Sequence, residues 1–571
     1  MSDSNSTTQD YDCQIWSSNQ QRLLKNRFSI QFIKKKKIRY ILDGEILRID
    51  KMKDFYLRSQ VLTNLEQIQY LKWLGKYVDG HKKTGKWAVN WRGEILQEIG
   101  GYYSNDGLKQ GLWNELTQNY SSQAQVFEKG EYYKDQKCGI WNYVYKNKTI
   151  GGGSYNSQDQ KNGKWTNLSD NFWEKSRITY QGAYENGKKV GLWDIIQNGK
   201  QVIGGGFYDF VNSIKVGKWI ELSTDYWERS QVIYIGEYRN GKKVGQWDVL
   251  SIGGQAIGGG SYDYKDSKKI GKWVEVSSDY WERSQVIYIG QYRNGKKVKR
   301  WDILYTKDSE DNMNDQMQEQ KLLKNQSRFG GLYDDDDNES ENTEYKKGIW
   351  TELSDGFWEG SQLIYRGEYK KGKKIGKWDV LNNGKQIIGG GSYDVEGLIK
   401  TGRWIDVSDE FSWGSKVTYL GEYKNGKKVG RWEIAAWGKY IGGGSYKEEG
   451  KLFEVGIKIG RWNELKEVFG LNSYVTYNGE YKNGQKIGRW DIIWREDDKK
   501  PFQQIGGGSY NDQENKEGAI KIGKWIELSD GFRKYSQIIL NGEYKNGKKV
   551  GIWNEIELRG NKLIQEINYE D

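Results

Sequence analysis

The sequence predicts an all-β fold, an elongated single-sheet array of tandem β-hairpins, and four observations support this prediction. Glycine, tyrosine and tryptophan are abundant, at 73, 41 and 27 of 571 residues. Proline occurs once, so few positions forbid sheet hydrogen bonds while the glycines permit tight turns. A pattern of Gly-x-Tyr, turn and Gly-x-Trp recurs along the chain. Only 36% of the residues are hydrophobic, which favours a thin repetitive structure over several thick cores.

Two modules alternate along the chain. Module A is typified by "GEYRNGKKVGQWDVL" at residues 236–250, and nine copies run from Gly75 to Trp553. Module B is typified by "IGGGSYDYKDSKKIGKW" at residues 257–273, and eight copies lie between those of module A. Each B tryptophan is followed by the next A glycine after 17 residues. One A module and one B module together form a repeat of about 54 residues.

Module A reads as a β-hairpin. Asn-Gly between two short alternating segments indicates a type I′ turn, as at residues 240–241. Folding about this turn predicts three cross-strand pairs: Tyr238 with Lys243, Gly236 with Gly245, and Tyr234 with Trp247. The missing glycine side chains leave room for a neighbouring ring over the backbone, so aromatic rings can pack along one sheet. We therefore assign a structural role in the repeat to Gly236, Tyr238, Gly245 and Trp247.

The Tyr-x-x-Gly-Lys-x-x-Gly-x-Trp cadence, as in "GEYKNGKKVGRW", resembles MORN repeats, and more closely the MORN-like variant repeats of bacterial proteins. The resemblance covers about Gly75 to Ile567. It implies a ribbon of successive hairpins and a role as scaffold, spacer, or membrane- or cytoskeleton-associated adaptor. The chain departs from the pattern in its A/B alternation and at Lys299, which stands where module A has its second glycine.

A β-propeller is the alternative fold. A four-stranded unit of this length can form a propeller blade, and Trp-Asp pairs such as Trp247-Asp248 resemble those of WD repeats. The alternative function is then a lectin-like ligand-binding propeller. The Gly-His motif of those repeats occurs once, at residues 80–81, and modules A and B share one pattern. These two observations favour the hairpin as the unit.

The sequence divides into four segments. Residues 1–74 are predicted to form an N-terminal cap with a polar start and a short helix within "LTNLEQIQYLKW". Residues 75–305 and 348–571 form the two parts of the repeat array. Residues 306–347, which include "DDDDNESENTE", are predicted to be an acidic disordered insertion.

The sequence argues against catalysis. The single histidine, His81, falls in a hairpin tip, and "IGGGSY" lacks the Lys-Ser/Thr of a P-loop and recurs along the chain. Repetition favours strand packing, because an active site needs its residues only once. We expect no catalytic residue, metal site or cofactor.

Charge placement suggests a binding edge. Net charge is +11, and six lysine pairs follow the turns of module A: Lys188 and Lys189, Lys242 and Lys243, Lys296 and Lys297, Lys373 and Lys374, Lys427 and Lys428, and Lys548 and Lys549. In a meander these turns lie along one edge, whereas acidic residues after module B, such as Glu221 and Asp225, are expected along the opposite edge. The lysines then form a candidate site for a polyanion. The alternative is that both sets keep exposed turns soluble.

The predicted function is a non-catalytic scaffold that associates with a protein partner, the cytoskeleton or a membrane surface. An unidentified protein, an anionic lipid surface or microtubules are the candidate partners, and nucleic acid is disfavoured because no reading motif accompanies the lysines. The sequence does not specify an oligomeric state. The two cysteines and the absence of an apolar signal core at the start predict a cytoplasmic location.

Overall fold

A computed structural model describes the following residues: 7–17, 22–33, 37–42, 45–51, 62–78, 82–92, 94–306, 329–335, 344–354, 356–395, 399–408, 411–412, 414–447, 456–466, 469–470, 474–497, 499–512, 519–529, 531–545 and 547–569. His81 and much of the predicted acidic insertion, residues 307–328 and 336–343, lie outside the described residues. The chain forms two compact units, Met1–Ile270 and Gly271–Asp571.

A four-stranded antiparallel sheet and a short helix precede the repeats in the first unit. These elements are β1 (Thr7–Ser17), β2 (Arg22–Ile33), β3 (Lys37–Leu42), β4 (Glu45–Lys51) and α1 (Leu65–Tyr70). The Asn64 side chain caps the helix by accepting hydrogen bonds from the backbone N–H groups of Glu66 and Gln67. Ile68 packs on the core of this small sheet, beside Phe28 and Tyr40. The helix lies where the sequence predicts one, and the four strands are an addition to that prediction.

Within the described part of the first unit, the repeats form fifteen strands. They are β5 (Leu71–Val78), β6 (Lys82–Trp91), β7 (Glu94–Tyr103), β8 (Lys109–Leu116), β9 (Val126–Tyr133), β10 (Gln136–Tyr145), β11 (Lys148–Tyr155), β12 (Lys161–Leu168), β13 (Ile178–Glu185), β14 (Lys188–Gln197), β15 (Gln201–Tyr208), β16 (Lys215–Leu222), β17 (Ile233–Arg239), β18 (Lys242–Leu250) and β19 (Ala256–Tyr262). The array therefore begins at Leu71, slightly before Gly75.

The described residues of the second unit's repeats form twenty strands. They are β20 (Lys269–Val276), β21 (Gln285–Arg293), β22 (Lys296–Thr306), β23 (Phe329–Tyr333), β24 (Lys346–Leu353), β25 (Leu363–Lys370), β26 (Lys373–Asn382), β27 (Gln386–Tyr393), β28 (Lys400–Val407), β29 (Val417–Lys424), β30 (Lys427–Ala436), β31 (Lys439–Tyr446), β32 (Lys458–Leu465), β33 (Tyr474–Lys482), β34 (Gln485–Arg495), β35 (Gln503–Tyr510), β36 (Lys521–Leu528), β37 (Ile538–Lys545), β38 (Lys548–Glu557) and β39 (Lys562–Tyr569). Strand β23 lies inside the predicted insertion.

From β5 onward, consecutive strands pair antiparallel within each unit, which confirms the hairpin array and shows that the propeller alternative is wrong. Pairing is continuous across the module boundaries, for example from β16 to β17 and from β18 to β19. A propeller would instead separate the strands into four-stranded blades.

The turn of module A has the predicted geometry, but the predicted strand register is correct only near the turn. Asn240 and Gly241 both have positive φ, at 50° and 74°, as a type I′ turn requires. Tyr238 pairs with Lys243 as predicted. The pairs of Gly236 with Gly245 and of Tyr234 with Trp247 are wrong, because a β-bulge intervenes.

The bulge depends on the second glycine of the module. Gly245 has φ of 63°, and beyond it the register shifts so that Ile235 pairs with Asp248. The shift brings the Trp247 indole over Gly236, where an added Cβ would overlap the ring carbons. Lys299 keeps the same positive φ, 59°, at the position where it replaces this glycine.

The "GGG" run of module B packs strands closely, as the sequence interpretation proposed. In the copy at residues 204–206, a Cβ on Gly206 would overlap the Trp219 ring. Gly205 has φ of 133° and lies against the backbone oxygen of Trp193. The glycines of this run therefore allow two close contacts, one with an indole ring and one with a backbone oxygen. The middle glycine also has a backbone conformation that residues with a side chain rarely adopt.

Loops that follow module B cover part of one face of the sheet. In the first unit, Tyr226 of such a loop packs on Ile178 and Ile195 of the preceding hairpin. The loops also contact one another, since Ser176 Oγ donates a hydrogen bond to the Tyr226 carbonyl at 2.6 Å. In the second unit, Ser284 Oγ donates in the same way to Phe357.

Candidate functional site

An unbroken series of aromatic rings runs along one face of the sheet in each unit. We call this the Trp face and define it by Tyr238, Lys243 and Trp247. Tyr238 packs edge-to-face between Trp219 and Trp247, with ring centroids 6.0 and 5.3 Å apart. The alternation of Tyr and Trp extends from Tyr77 to Tyr262 in the first unit.

The second unit has the same series, from Trp273 to Tyr569. Edge-to-face geometry is the arrangement that the ring quadrupoles prefer, and each pair contributes about 0.5 to 1.5 kcal/mol beyond area burial. The sequence predicted rings over glycine backbone, and this part of the prediction is confirmed.

A lysine and carboxylate cluster lies above these rings in most of the repeats. Glu221, two residues after Trp219, contacts the ammonium groups of Lys215 and Lys243, the latter at 2.8 Å. The Tyr238 hydroxyl donates a hydrogen bond to the same carboxylate at 2.9 Å. Lys243 Nζ also lies 3.9 Å from the Trp247 ring centroid, a cation-π contact.

The electrostatics of this cluster favour the charged carboxylate. Burial opposes ionisation of Glu221, but the two ammonium groups and their hydrogen bonds outweigh it and hold the pKa of Glu221 below its ordinary value. Burial, followed by the adjacent Glu221 charge, raises the pKa of Tyr238, so this hydroxyl stays protonated and donates. The cluster is therefore a network of charge-assisted hydrogen bonds at half-buried positions.

Seven of the eight repeats supply a carboxylate at this position. Each of the seven contacts at least one lysine ammonium and accepts a hydrogen bond from a tyrosine hydroxyl; they are Glu115, Glu221, Glu275, Glu352, Asp406, Glu464 and Glu527. The eighth position is occupied by Asn167.

The clusters split each predicted lysine pair into two kinds of residue. The second lysines lie on the Trp face, and five of the six make an ion pair at 2.8 to 3.5 Å: Lys243, Lys297, Lys374, Lys428 and Lys549. Among the first lysines, four are exposed beside the turn, namely Lys188, Lys242, Lys373 and Lys548, while Lys296 and Lys427 are half-buried. The remaining second lysine, Lys189, belongs to the repeat that carries Asn167.

The expected separation of acid and base onto opposite edges is wrong for the carboxylates of the clusters. Glu221 belongs to strand β16, and its side chain meets lysines in the middle of the Trp face. A sequence signal for this contact exists: Lys215, Trp219 and Glu221 are spaced by even numbers, so the period of two in a strand places them on one face. That signal was not used in the sequence interpretation.

The opposite face, which we call the back face, is defined by Glu237, Gln246 and Ser261. Glu237 and Gln246 are exposed, and Ser261 Oγ donates a hydrogen bond to Gln246 Oε1. Large apolar side chains also occur here, such as Leu192, which is 62% exposed. These positions of the back face therefore contribute little burial.

The helices within the described ranges include none with the length and apolar composition that a bilayer crossing requires. No protein-family model matches the sequence, and a search of curated proteins finds no match either.

Proposed function

We propose that this chain is a non-catalytic repeat scaffold that associates through one edge of its sheets with a protein partner, a cytoskeletal polymer or a membrane surface. This proposal rests mainly on four lysines that are exposed beside the turns of module A and do not belong to the lysine and carboxylate clusters. They are Lys188, Lys242, Lys373 and Lys548. Such charges can meet an anionic surface at little desolvation cost.

Strand order places these lysines along one edge in each unit. Strands pair antiparallel in sequence order, so every turn within a module lies at one edge and every connection between modules lies at the other. We call the first the turn edge. Lys188 and Lys242 belong to the turn edge of the first unit, and Lys373 and Lys548 to that of the second.

The spacing of the lysines sets the conditions for binding. Successive A turns are four strands apart, or roughly 19 Å at about 4.8 Å per strand. Lys188 and Lys242 lie on successive A turns, and their separation exceeds the Debye length of about 10 Å at 0.1 M salt but is less than the roughly 30 Å at 0.01 M. Lys373 and Lys548 are twelve strands apart, roughly 58 Å, so collective attraction is expected from the pair in the first unit. We therefore expect collective attraction to an extended polyanion at low salt, with a steep loss as salt rises.

A matched pair of variants tests this proposal. The first reverses the four exposed turn-edge lysines together (K188E, K242E, K373E and K548E). The control reverses four exposed lysines of the opposite edge, two in each unit (K148E, K200E, K385E and K439E), and so changes net charge equally. Binding to vesicles that contain phosphatidylserine and to microtubules is measured by co-sedimentation at about 0.01 M salt.

We expect the turn-edge variant to lose most of its binding, since each lysine near an anionic lipid surface contributes about 1 kcal/mol. The control should retain much more. Equal losses in both variants would mean that only net charge matters. If the wild-type chain bound neither vesicles nor microtubules, the lysines would have only the solubility role.

We also propose kinship with MORN-like repeat proteins and a cytoplasmic location. The Gly-x-Tyr and Gly-x-Trp motifs and their antiparallel hairpins support this kinship. The titratable clusters recur along the chain, whereas a catalytic centre needs its residues only once, and this recurrence disfavours an enzyme. A fluorescently tagged chain should appear in the cytoplasm or on its membrane or cytoskeletal surfaces, and secretion of the chain would contradict the location.

A further inference from the structure

One repeat lacks the carboxylate that the other seven have. Asn167 occupies its position, and Lys161 Nζ donates a hydrogen bond to Asn167 Oδ1 at 2.6 Å. Asn167 Nδ2 donates to the Tyr184 hydroxyl at 3.1 Å. The amide thus satisfies hydrogen bonds that the carboxylate makes elsewhere, but it brings no negative charge to the lysines.

The second lysine of this repeat, Lys189, makes no ion pair with any residue that the structure describes. Its ammonium lies 4.6 Å from the Trp193 ring centroid, with the rings of Tyr180 and Tyr208 at 5.9 and 5.5 Å. In the next repeat the equivalent Lys243 lies on its tryptophan in the same way and pairs with Glu221. The aromatic surroundings are therefore retained while the counter-ion is missing.

Asp406 shows what a charged group of the same size does at this position. Asp and Asn are isosteric, and the Asp406 carboxylate reaches Lys400 at 2.7 Å, Lys428 at 3.4 Å and the Tyr423 hydroxyl at 2.6 Å. The backbone of the repeat therefore allows one short side chain to join both lysines. What the Asn167 repeat lacks is charge.

The surroundings of Lys161 and Lys189 do not restore that charge. The nearby carboxylate Glu128 is engaged by Lys137. Asp170, in the loop after β12, is exposed and raises the pKa of Lys189 only as a smaller influence. Burial is the main cause that lowers the pKa of Lys189, and the ammonium of Lys215 lowers it further.

Lys161 shows the same excess of positive charge. Burial lowers its pKa to about 8, the attraction of Glu128 opposes this, and the ammonium groups of Lys137 and Lys189 lower it further. The other ionisable groups that face the pair are the hydroxyls of Tyr180, Tyr184 and Tyr208, which burial keeps protonated.

We propose that Lys161 and Lys189 form a binding site for an external carboxylate, which takes the role that the Glu221 side chain has in the next repeat. A small organic acid or an acidic side chain of a bound peptide can supply this group. The site lies on the Trp face and does not rest on the proposed turn edge. This repeat can therefore bind an external carboxylate, whereas in the seven other repeats an Asp or Glu side chain already occupies the position.

Amine labelling of the full chain tests the site. An amine-reactive ester is applied at pH 7.5 with sodium acetate, with a tetraglutamate peptide, or with sodium chloride at equal ionic strength, and labelling of Lys161 and Lys189 is quantified by mass spectrometry. Carboxylate binding should restore the charged ammonium, and each pKa unit regained lowers the reactive neutral fraction about tenfold. We expect saturable protection by the carboxylates and none by chloride.

Two isosteric variants provide the controls. Asn167→Asp should label slowly at both lysines and lose the acetate dependence, because its own carboxylate joins them. Asp406→Asn should make Lys400 and Lys428 reactive and protectable by acetate. Protection by acetate indicates that one carboxylate suffices, and protection by the peptide alone indicates an extended ligand. Equal protection by chloride, or unchanged acetate protection in Asn167→Asp, would overturn the proposal.

Discussion

The two faces of the sheet differ in chemistry although each strand contributes to both. On the Trp face, Trp247 is 2% exposed and is covered by ring neighbours and the Lys243 side chain. One residue away, Gln246 on the back face is exposed. The difference teaches that the ring packing and the lysine and carboxylate clusters lie on the Trp face, whereas exposed positions such as Gln246 contribute little burial.

The largest expected effect comes from filling the space above the first glycine of module A. Gly236→Val adds atoms where the Trp247 ring lies, and overpacking of this kind costs about 3 kcal/mol. The loss should stay local, because each repeat contacts only its neighbours. Faster hydrogen exchange in β17 and β18, measured by mass spectrometry, checks it. The matched control is Gln246→Val on the back face, and an equal effect there would refute the difference between faces.

The next effect concerns the ion cluster. Glu221→Gln removes the charge between Lys215 and Lys243 and should destabilise the hairpin by about 2 kcal/mol, since hydrogen bonds to charged groups contribute about 1.5 to 3. Glu237→Gln, at an exposed position of the back face, is the control and should change stability by less than about 0.5 kcal/mol.

The pH dependence of this cluster sharpens the same comparison. The pKa of Glu221 is lower in the folded chain than in the unfolded one, so its stabilisation is present above about pH 4.5 and is lost as pH falls through the folded pKa. The difference in unfolding free energy between wild type and Glu221→Gln should therefore shrink below that pH. A difference that stayed constant down to about pH 2 would contradict the charge-based account.

The smallest effect is expected for apolar residues of the back face. Leu192→Ala removes a side chain that is already 62% exposed and should cost less than about 0.5 kcal/mol. Ile195→Ala, in the same strand but 4% exposed beneath a covering loop, should cost at least about 2 kcal/mol. Urea unfolding followed by hydrogen exchange of β14 distinguishes the two.

The hairpin and its glycine chemistry could be predicted from local sequence because the turn and the ring packing depend on adjacent residues. The register beyond Gly245 could not, since the sequence does not distinguish a glycine that leaves space from one that forms a bulge. The position of Glu221 could have been predicted from the period of two. The covering loops depend on contacts between residues about 50 positions apart, such as Ser176 and Tyr226, for which one sequence has no local signal.

The central claim is that adjacent lysines of a pair have different roles, and Lys242 and Lys243 test it most directly. Hydrogen exchange of β17 and β18 is compared in Lys242→Glu and Lys243→Glu, two variants with the same charge change. Lys243→Glu places a second carboxylate beside Glu221 and should accelerate exchange at least about tenfold, the equivalent of about 1.4 kcal/mol. Lys242→Glu, at the exposed turn edge, should leave it within about twofold. Equal acceleration in both variants would contradict the account.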